Sequence, residues 1–423
     1  MSKKLAINGG PKAIKKKLKP YNSIGLEEKK AVAEVMKTGI LSKFLGTFSD
    51  DFTGGPKVRE FEELASKYFN VKYAVTVNSW TSGLIAAVGA IGIEPGDEVI
   101  VSTWTMCASA TAILHWNAIP VFADIDKRTF NICPDSIEKN ITKKTKAIMA
   151  IDIFGQSCDI DRINAIAKKH NLKVITDTAQ APGSFNKGRY TGTLSDVGGF
   201  SLNYHKHIHT GEGGILVTND DQIHKRLLLI RNHAEAVVGD MGFNDLKNMI
   251  GYNFRLGEIE SAIGIEQLKK LKPIVKKAQK LAERLTNGIK NLDGLITPFI
   301  EKENTHVYYV YPLVLDKNKI KIPRRKICEA LKAEGIEFFE GFINVHLYPM
   351  FQNKIAYGSK GFPWFSDVYD GKVSYKKGVC PIAEELNEET LFGYGFCTHD
   401  LKFEDIDLII EAFKKVWNNL NEL

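Results

Sequence analysis

The sequence predicts an α/β fold in which helices cover both sides of a mainly parallel sheet. Between residues 71 and 220, short runs rich in Val and Ile alternate with amphipathic helical stretches. Such alternation is typical of βαβ units, and strands that are apolar on both faces belong to sheets buried on both sides. The 423 residues also exceed what one hydrophobic core usually accommodates, which favours a large domain and a smaller one.

Individual elements of this sheet can be located from composition and periodicity. Residues 133–141 and 160–170 have helical patterns, and Asn171 predicts the end of the second helix. Residues 257–292 predict a long helix, bent at Pro273 because proline removes an intrahelical hydrogen bond. The segments with the composition of strands are residues 73–77, 98–102, 119–124, 147–154, 173–176, 198–202 and 215–218.

After the long helix the pattern changes to that of a smaller α+β unit. A strand is predicted at residues 306–315, and helices at residues 324–334 and 403–418. Residues 349–379 are rich in Gly, Pro, Ser, Tyr and Lys and predict a long surface loop, a kind of segment that is often functional. The predicted organisation is an N-terminal arm at residues 1–24, a large domain at residues 25–284 and a small C-terminal domain at residues 285–423.

Composition and charge narrow the class of protein. A hydrophobic share of 44% and a charged share of 25% are ordinary for a soluble globular protein. No apolar run reaches the roughly 20 residues of a membrane-spanning helix, and no apolar signal region follows the first lysines, so we expect a cytoplasmic protein. Part of the net charge of +7 lies in residues 12–19. Because no aromatic residues interleave with these lysines, a solvated arm is favoured over a nucleic-acid or membrane patch.

Three polar segments follow predicted strands, where ligands bind in open α/β sheets. Residues 78–83 (NSWTSG) precede an apolar helix and could bind a phosphate or simply cap that helix. Asp177 ends a strand, and its carboxylate could hold the pyridine nitrogen of pyridoxal phosphate, cap a helix or bind Mg²⁺. Residues 251–255 (GYNFR) form a polar loop with possible phosphate donors.

A fourth segment, FSLNYHKHIHTGEGG, places Lys206 between a strand and a glycine-rich turn. Lysines are usually solvated, but this confinement predicts a buried amine of lowered pKa, the form that condenses with carbonyls. His205, His207 and His209 alternate and could share one face as zinc ligands. No neighbouring carboxylate or cysteine completes such a set, and the six cysteines of the chain are scattered without a CxxC pair. We therefore expect no metal and no disulfide framework.

The order of these motifs resembles the DegT/StrS family of sugar aminotransferases, a branch of the fold-type I (aspartate aminotransferase-like) pyridoxal-phosphate enzymes. The resemblance extends from about residue 25 to residue 418. Its most specific pattern, F-S-x4-K-x4-G-E-G-G, is matched by residues 200–214. The patterns D-x-A-Q, G-Y-N-x-R and P-G-D-E-V-I are matched by residues 177–180, 251–255 and 95–100.

The resemblance implies a role for each of these residues. Lys206 would hold pyridoxal phosphate as a Schiff base and move the proton during transamination. Asp177 would pair with the pyridinium nitrogen, Gln180 would lie near the phenolic oxygen, and Glu212 would structure the turn. The residues implied at the phosphate are Thr81 and Ser201, with Ser79 and Trp80 in the same turn, and Asn253 from the neighbouring subunit, since the family builds each site at a dimer interface.

The chain departs from the family pattern at three places. Trp80 stands where a glycine usually precedes the phosphate-binding threonine, which predicts a reshaped turn. Met106 stands where an aromatic residue usually stacks on the cofactor ring, so either its sulfur contacts the ring or neighbouring Trp104 substitutes. Residues 41–52 form a longer segment than in typical members and are expected near the active-site entrance.

The register of the lysine separates two activities. Related dehydratases have a histidine at this position, and the fifth residue before Gly211 is Lys206, whereas His205 and His207 are one place out. The resemblance therefore implies a homodimeric transaminase that moves an amino group from L-glutamate to a keto sugar in surface-polysaccharide or secondary-metabolite biosynthesis, with a nucleotide-linked acceptor preferred. A keto-cyclitol, a small phosphorylated ketone and a non-catalytic binding or regulatory protein are the alternatives that the sequence leaves open.

Overall fold

The computed structural model of the protein describes residues 4–369 and 371–423. Residues 1–3 of the predicted arm and residue 370 of the predicted loop lie outside this range. The strands within it are β1 (Tyr73–Val77), β2 (Glu98–Ser102), β3 (Ile119–Ala123), β4 (Thr145–Ile151), β5 (Lys173–Asp177), β6 (Phe185–Asn186), β7 (Arg189–Tyr190), β8 (Val197–Ser201), β9 (Gly214–Thr218), β10 (Leu295–Ile296), β11 (Val310–Leu315), β12 (Phe339–Glu340) and β13 (Leu391–Gly395). The α-helices are α1 (Leu26–Thr38), α2 (Pro56–Phe69), α3 (Trp80–Ala90), α4 (Ala108–His115), α5 (Pro134–Lys139), α6 (Ile160–His170), α7 (Asp221–Arg231), α8 (Ala234–Val237), α9 (Glu258–Ile289), α10 (Arg324–Glu334), α11 (Pro349–Asn353), α12 (Pro381–Glu385) and α13 (Phe403–Trp417).

The large sheet has the strand order β1-β9-β8-β5-β4-β2-β3. Only β9 among these described strands is antiparallel to its neighbours, β1 and β8. Strands β2, β3, β8 and β9 are buried along their length, because helices pack on both faces. The predicted α/β class with a mainly parallel mixed sheet is thus confirmed, and each of the seven predicted strands corresponds to one strand of this sheet.

The strand ends that carry polar residues meet at one edge of the large sheet. Val77 at the end of β1 and Ser201 at the end of β8 both pair with Gly214, the first residue of β9. Asp177 at the end of β5 lies opposite Gly199, one strand away from Ser201. Because β1, β5 and β8 point the same way, the loops that follow them converge at this edge, as expected for a ligand site in an α/β sheet.

The small sheet, ordered β10-β11-β13-β12, is antiparallel and packs against α10 and α13. Leu5 and Ile14 from the beginning of the chain are buried in the same core. The fully buried carboxylate of Glu334 accepts hydrogen bonds from the Ala6 and Ala13 N–H groups and from Lys415 Nζ of α13. Both ends of the chain therefore build this smaller unit; the predicted domain boundaries at residues 24 and 284 stay a prediction.

Helix α9 runs without interruption from Glu258 to Ile289 and includes Pro273. It contacts α1 and α2 beside the large sheet and α13 beside the small one, so it connects the two cores. Within the described residues, no helix combines the length and apolar content needed to cross a bilayer. The strand predicted from residue 306 begins only at Val310, because Tyr308 adopts a left-handed backbone conformation with φ of 55°.

The predicted surface loop at residues 349–379 differs from expectation. Trp364, Tyr369 and Tyr375 are only 3%, 5% and 2% exposed and pack on the outer strands β2 and β3. The Tyr375 hydroxyl donates to the Pro120 carbonyl at 2.8 Å, and the Tyr369 hydroxyl donates to Glu98 Oε1 at 2.8 Å. The segment thus covers the outer edge of the sheet, which would otherwise expose an unpaired strand. Its irregular backbone hides this packing from periodicity arguments.

Candidate active site

Lys206 lies in the loop after β8, inside the molecule. Its residue is 7% exposed, and burial lowers the pKa of its amine from the usual 10.5 to about 8, against the opposing effect of the Asp177 carboxylate. The Nζ atom stands 4.2 Å from the centre of the Tyr309 ring. This is the buried amine of lowered pKa that the sequence predicts, and the lowered pKa increases the share of neutral amine, the form that condenses with a carbonyl.

The loop that carries Lys206 is closed by its own hydrogen bonds. The Leu202 N–H donates to the Gly213 carbonyl at 2.9 Å, and the Thr210 N–H donates to the Leu202 carbonyl at 3.0 Å. Asn203 Nδ2 donates to Glu212 Oε1 at 2.8 Å. Glu212 therefore lies in the turn as the resemblance implied. Gly213 has φ of 155°, and a Cβ there would stand 2.6 Å from Thr210 Oγ1, so the turn requires glycine at this position.

The three histidines around Lys206 point to different surroundings. His207 is buried, and its Nε2 bonds the Val307 carbonyl at 2.9 Å, while burial lowers its pKa to about 4. His205 is exposed and lines the cavity beside Lys206. The backbone N–H of His209 donates to Gln267 Oε1 of α9 at 3.2 Å, which attaches this part of the loop to the helix. In the part of the chain that the structure describes, no three His, Cys, Asp or Glu side chains gather as metal ligands.

Asp177 is held by donors from three elements. Its Oδ1 accepts from Trp80 Nε1 at 2.7 Å and from the Ala179 N–H at 3.2 Å, and its Oδ2 accepts from Ser109 Oγ at 2.8 Å. The side chain is 5% exposed. Ser109, in the first turn of α4, was not singled out from the sequence, because a serine in an apolar helix carries no signal of its own.

Trp80 does not reshape the turn as its size predicts. Helix α3 begins at Trp80 in ordinary fashion, with Ser79 as its N-cap accepting from the Ser82 N–H at 3.1 Å. The indole turns into the protein, where it is 6% exposed. The Trp80 side chain therefore contacts Asp177. Only the backbone of Trp80 belongs to the predicted phosphate-binding turn.

The remaining predicted phosphate ligands stand around the same strand ends. Thr81 is exposed in the first turn of α3, where backbone N–H groups and the positive end of the helix dipole favour an anion. Ser201 is 5% exposed and its Oγ accepts the Asn203 N–H at 3.2 Å. Asn253 is exposed beside this turn: its carbonyl accepts from Asn78 Nδ2 at 3.2 Å, and its own Oδ1 accepts from Arg255.

Gln180 and Met106 complete the predicted set. Gln180 Oε1 accepts the Phe154 N–H at 2.8 Å, which leaves its amide nitrogen as the end able to donate to a ligand. Met106 is 58% exposed, whereas Trp104 is fully buried and donates its indole N–H to Asn344 Oδ1 at 2.8 Å. Of the two residues considered for the cofactor ring, only Met106 is therefore accessible to a ligand.

A cavity of about 720 Å³ opens beside Lys206. It lies between the lysine loop and the small sheet, and aromatic side chains form much of its wall. An acidic residue, Glu340, faces the cavity. Residues 41–52 lie further along the same edge of the large sheet, where Asn232 Nδ2 donates to the Leu45 carbonyl at 2.8 Å. The aromatic residues of the wall are Tyr21, Tyr204, Tyr309, Phe339 and Phe342.

The residues at this edge fit pyridoxal phosphate. An amine of lowered pKa, a carboxylate with acceptor capacity remaining and a helix N-terminus are the kinds of group that could hold the aldehyde, the pyridine nitrogen and the phosphate of that molecule. Tyr309 and Cys397, which also neighbour Lys206, were missed by the sequence reasoning. Both come from the small unit, more than a hundred residues away in sequence, and the run of aromatic residues at 308–311 is a local signal that could have indicated Tyr309.

Comparison with known proteins gives a consistent result. The profile of the DegT/DnrJ/EryC1/StrS aminotransferase family matches residues 26–391. The spore coat polysaccharide biosynthesis protein SpsC of Bacillus subtilis is 35% identical over 406 residues, covering 94% of this chain and 96% of that protein. A GDP-perosamine synthase of Escherichia coli O157:H7 is 34% identical over 343 residues, covering 79% of this chain and 90% of that enzyme. The solved structure of the aminotransferase from Psychrobacter cryohalolentis superposes with a TM-score of 0.81 at 28% identity, covering 96% of this chain and 100% of that one.

Proposed function

Because the chain belongs to the DegT/DnrJ/EryC1/StrS aminotransferase family and is a pyridoxal-phosphate-dependent sugar aminotransferase, we propose that it moves the amino group of L-glutamate to the carbonyl carbon of a nucleotide-linked keto sugar. The observation that carries the proposal is the presence of a buried amine of lowered pKa, Lys206, within one site with the Asp177 carboxylate. When bound, the cofactor supplies the electron sink for the reaction.

Lys206 performs the proton transfers in this proposal. Its Nζ would also hold the cofactor covalently between turnovers. An amine with a pKa of about 8 is close enough to neutral pH to act as both base and acid. It would take a proton from Cα of the amino donor and deliver it to C4′ of the bound cofactor. The ring of Tyr309, 4.2 Å from Nζ, stabilises the protonated form after that step.

Other residues bind and orient the cofactor. Asp177 would keep the pyridine nitrogen protonated, and Gln180 would donate to the phenolic oxygen. Met106 contacts the ring through its exposed thioether. The phosphate is held by the residues of the α3 turn and the end of β8, namely Ser79, Thr81 and Ser201, together with Asn253 of a second copy of the chain.

The acceptor occupies the cavity beside Lys206. A volume of about 720 Å³ falls in the range of pockets that enclose substrates larger than a simple keto acid. The rings of Tyr204, Phe339 and Phe342 offer flat apolar faces, against which the C–H faces of a sugar can pack. The net charge of +7 favours an acceptor that carries phosphate, and the enzyme from Escherichia coli O157:H7 compared above bears the name of a GDP-linked sugar.

A homodimer with shared sites is part of the proposal. Leu45, Met106 and Tyr204 are 52–68% exposed along the edge that carries the site, an apolar surface that a second copy would cover. Asn253 is exposed there as well. Six free cysteines fit a reducing compartment, which supports the proposed cytoplasmic location.

Acceptor screening tests the activity. Purified protein is incubated with L-glutamate and, in turn, with nucleotide-linked keto sugars, a keto-cyclitol and a small phosphorylated ketone, while 2-oxoglutarate is measured. We expect turnover with a nucleotide-linked keto sugar and none for the Lys206→Ala variant. Turnover with only the cyclitol or the simple ketone would reject the proposed acceptor, and lack of turnover with L-glutamate but activity with L-glutamine would reject the proposed donor.

Subunit mixing tests the shared site. Lys206→Ala and Asn253→Asp each disable the site, the second by repelling the phosphate. In a mixed dimer one site contains both mutations and the other contains neither, so activity should reappear on mixing the two inactive proteins. Sites formed within one chain would give no recovery.

A further inference from the structure

We infer that Trp80 is a positioning residue for the cofactor: its indole N–H fixes the Asp177 carboxylate so that one lone pair of Oδ2 faces the pyridine nitrogen. The inference rests on the proposed pairing of Asp177 with that nitrogen and concerns how the carboxylate is held for it. Trp80 and Asp177 are 97 residues apart in sequence. The family pattern usually has glycine in place of Trp80, so the sequence did not predict this contact.

The hydrogen bonds to Asp177 leave room for one more donor. A carboxylate offers about four lone-pair positions, two on each oxygen. Trp80 Nε1 at 2.7 Å and the Ala179 N–H at 3.2 Å fill those of Oδ1, and Ser109 Oγ at 2.8 Å fills one of Oδ2. Among the described donors this leaves one position, on Oδ2. A protonated pyridine nitrogen is a single N–H donor and fits it.

The indole that bonds Asp177 lies in a tight slot lined by glycines. A Cβ on Gly199 would stand 2.5 Å from Trp80 Cη2, and a Cβ on Gly83 would stand 2.9 Å from Cε3. A Cβ on Gly214 would stand 3.0 Å from Trp80 Cα. The ring therefore fits only where Gly83 and Gly199 lack side chains, while Gly214 lets the start of β9 approach the backbone of Trp80. This close packing restricts the direction in which the indole N–H can point.

The hydrogen bond from Trp80 to Asp177 belongs to the class with a charged acceptor. A hydrogen bond to a carboxylate is about twice as strong as one between neutral groups, and a buried site increases its effect. An indole nitrogen donates and never accepts, so Trp80 can only hold an acceptor oxygen toward itself. Loss of this donor would free the carboxylate to rotate about its side-chain torsion and would misalign Oδ2.

Cofactor affinity tests the inference. The dissociation constant of pyridoxal 5′-phosphate from the apoenzyme is measured by equilibrium dialysis for wild type, Trp80→Phe, Asp177→Ala and the double variant. We expect Trp80→Phe to weaken binding about 10-fold or more, the usual effect of losing a hydrogen bond to a charged group. In the Asp177→Ala background the same substitution should add no further loss, since its effect passes through that carboxylate.

Controls separate this role from packing. Trp364→Phe removes another buried indole donor, whose hydrogen bond to the Tyr375 hydroxyl is 2.8 Å long and lies beside the outer strands, and it should leave cofactor affinity unchanged. Should Trp80→Phe fail to fold, 3-benzothienylalanine at position 80 keeps the shape of the indole without its N–H. In ¹⁵N-labelled wild type, the Trp80 indole cross-peak should shift when pyridoxal 5′-phosphate binds.

The possible outcomes are distinct. Unchanged affinity in both Trp80 variants, or an equal loss with and without Asp177, would overturn the positioning role while leaving Asp177 as the pyridine partner. If Asp177→Ala binds pyridoxal 5′-phosphate as tightly as wild type, the proposed role of Asp177 fails and the inference falls with it. If Trp80→Phe weakens cofactor binding when Asp177 is present but not in the Asp177→Ala variant, the result supports both the role of Asp177 and the positioning role of Trp80.

Discussion

The Nζ atom of Lys206 lies 4.2 Å from the centre of the Tyr309 ring, so an amine from the large sheet faces an aromatic ring from the segment that leads into the small one. The amine is buried, and its pKa is lowered to about 8. Burial thus disfavours the charge while the ring favours it. The balance between these two effects sets how much neutral amine is present near pH 7.

Burial of Lys206 should reduce the stability of the apoenzyme. Below pH 8 the amine is protonated in both states, and the folded state bears the desolvation of the charge. Between about pH 8 and 10.5 the folded protein releases its proton first, so stability rises with pH. Lys206→Met should therefore raise the unfolding free energy at pH 7 by about 3 kcal/mol, and this gain should shrink across that window. Urea unfolding at several pH values measures it.

A matched control for this measurement is Lys17→Met, which changes an exposed lysine. Because this lysine is exposed, the control should show little change in unfolding free energy. A gain at Lys206→Met that stays constant up to pH 10.5 would contradict the lowered pKa.

Removal of the Tyr309 ring should lower the pKa of Lys206 further. Tyr309→Leu keeps the site apolar but removes the cation–π contact, which contributes about 0.5–1 kcal/mol or somewhat more when desolvated. The pH midpoint for covalent loading of pyridoxal phosphate onto the apoenzyme should then move down by roughly half a unit to one unit. Tyr309→Phe retains the ring and should keep the midpoint. An upward shift in the leucine variant would mean that water entry outweighs the lost contact.

His346 should contribute to stability through the loop that precedes Met106. Its Nδ1 shares a hydrogen bond with Thr103 Oγ1, and its Nε2 pairs with Glu384 Oε1 at 2.9 Å, all three residues being buried. His346→Ala would leave both partners without this bond, and we expect a loss of about 2–4 kcal/mol in unfolding free energy. His170→Ala, at a surface pair 3.8 Å from Glu138, should change it by less than about 0.5 kcal/mol. Chemical denaturation of both variants compares them.

Residues 349–379 should matter for stability and not for catalysis. Trp364 is 3% exposed, and Trp364→Ala should cost about 3–5 kcal/mol. Its neighbour Phe365 is 66% exposed, and Phe365→Ala should cost less than about 0.5 kcal/mol. Where both variants remain folded, kcat/KM should match wild type. A selective fall in kcat/KM for Phe365→Ala would instead indicate that the segment contacts the substrate.

The sequence predicted those features that local pattern determines. The seven strands of the large sheet follow from composition and periodicity within a few residues, and the register of Lys206 follows from the resemblance to the family pattern. The contact between Trp80 and Asp177, the wall formed by Tyr309 and the packing of Trp364 depend on residues brought together by the tertiary fold. A pattern along the chain carries no distance between such residues, so these contacts could only be read from the structure.

The hydrogen bonds of the Glu334 carboxylate determine the order in which the two parts of the protein can fold during synthesis. It joins backbone from residues 6 and 13 to Lys415 of α13. During synthesis the early residues leave the ribosome hundreds of residues before their partner does. The large sheet can therefore assemble while the arm at residues 4–24 is still unattached, and the smaller unit closes only after α13 has emerged. Substitutions at Glu334 should accordingly delay the last stage of maturation and leave the earlier ones at their normal pace.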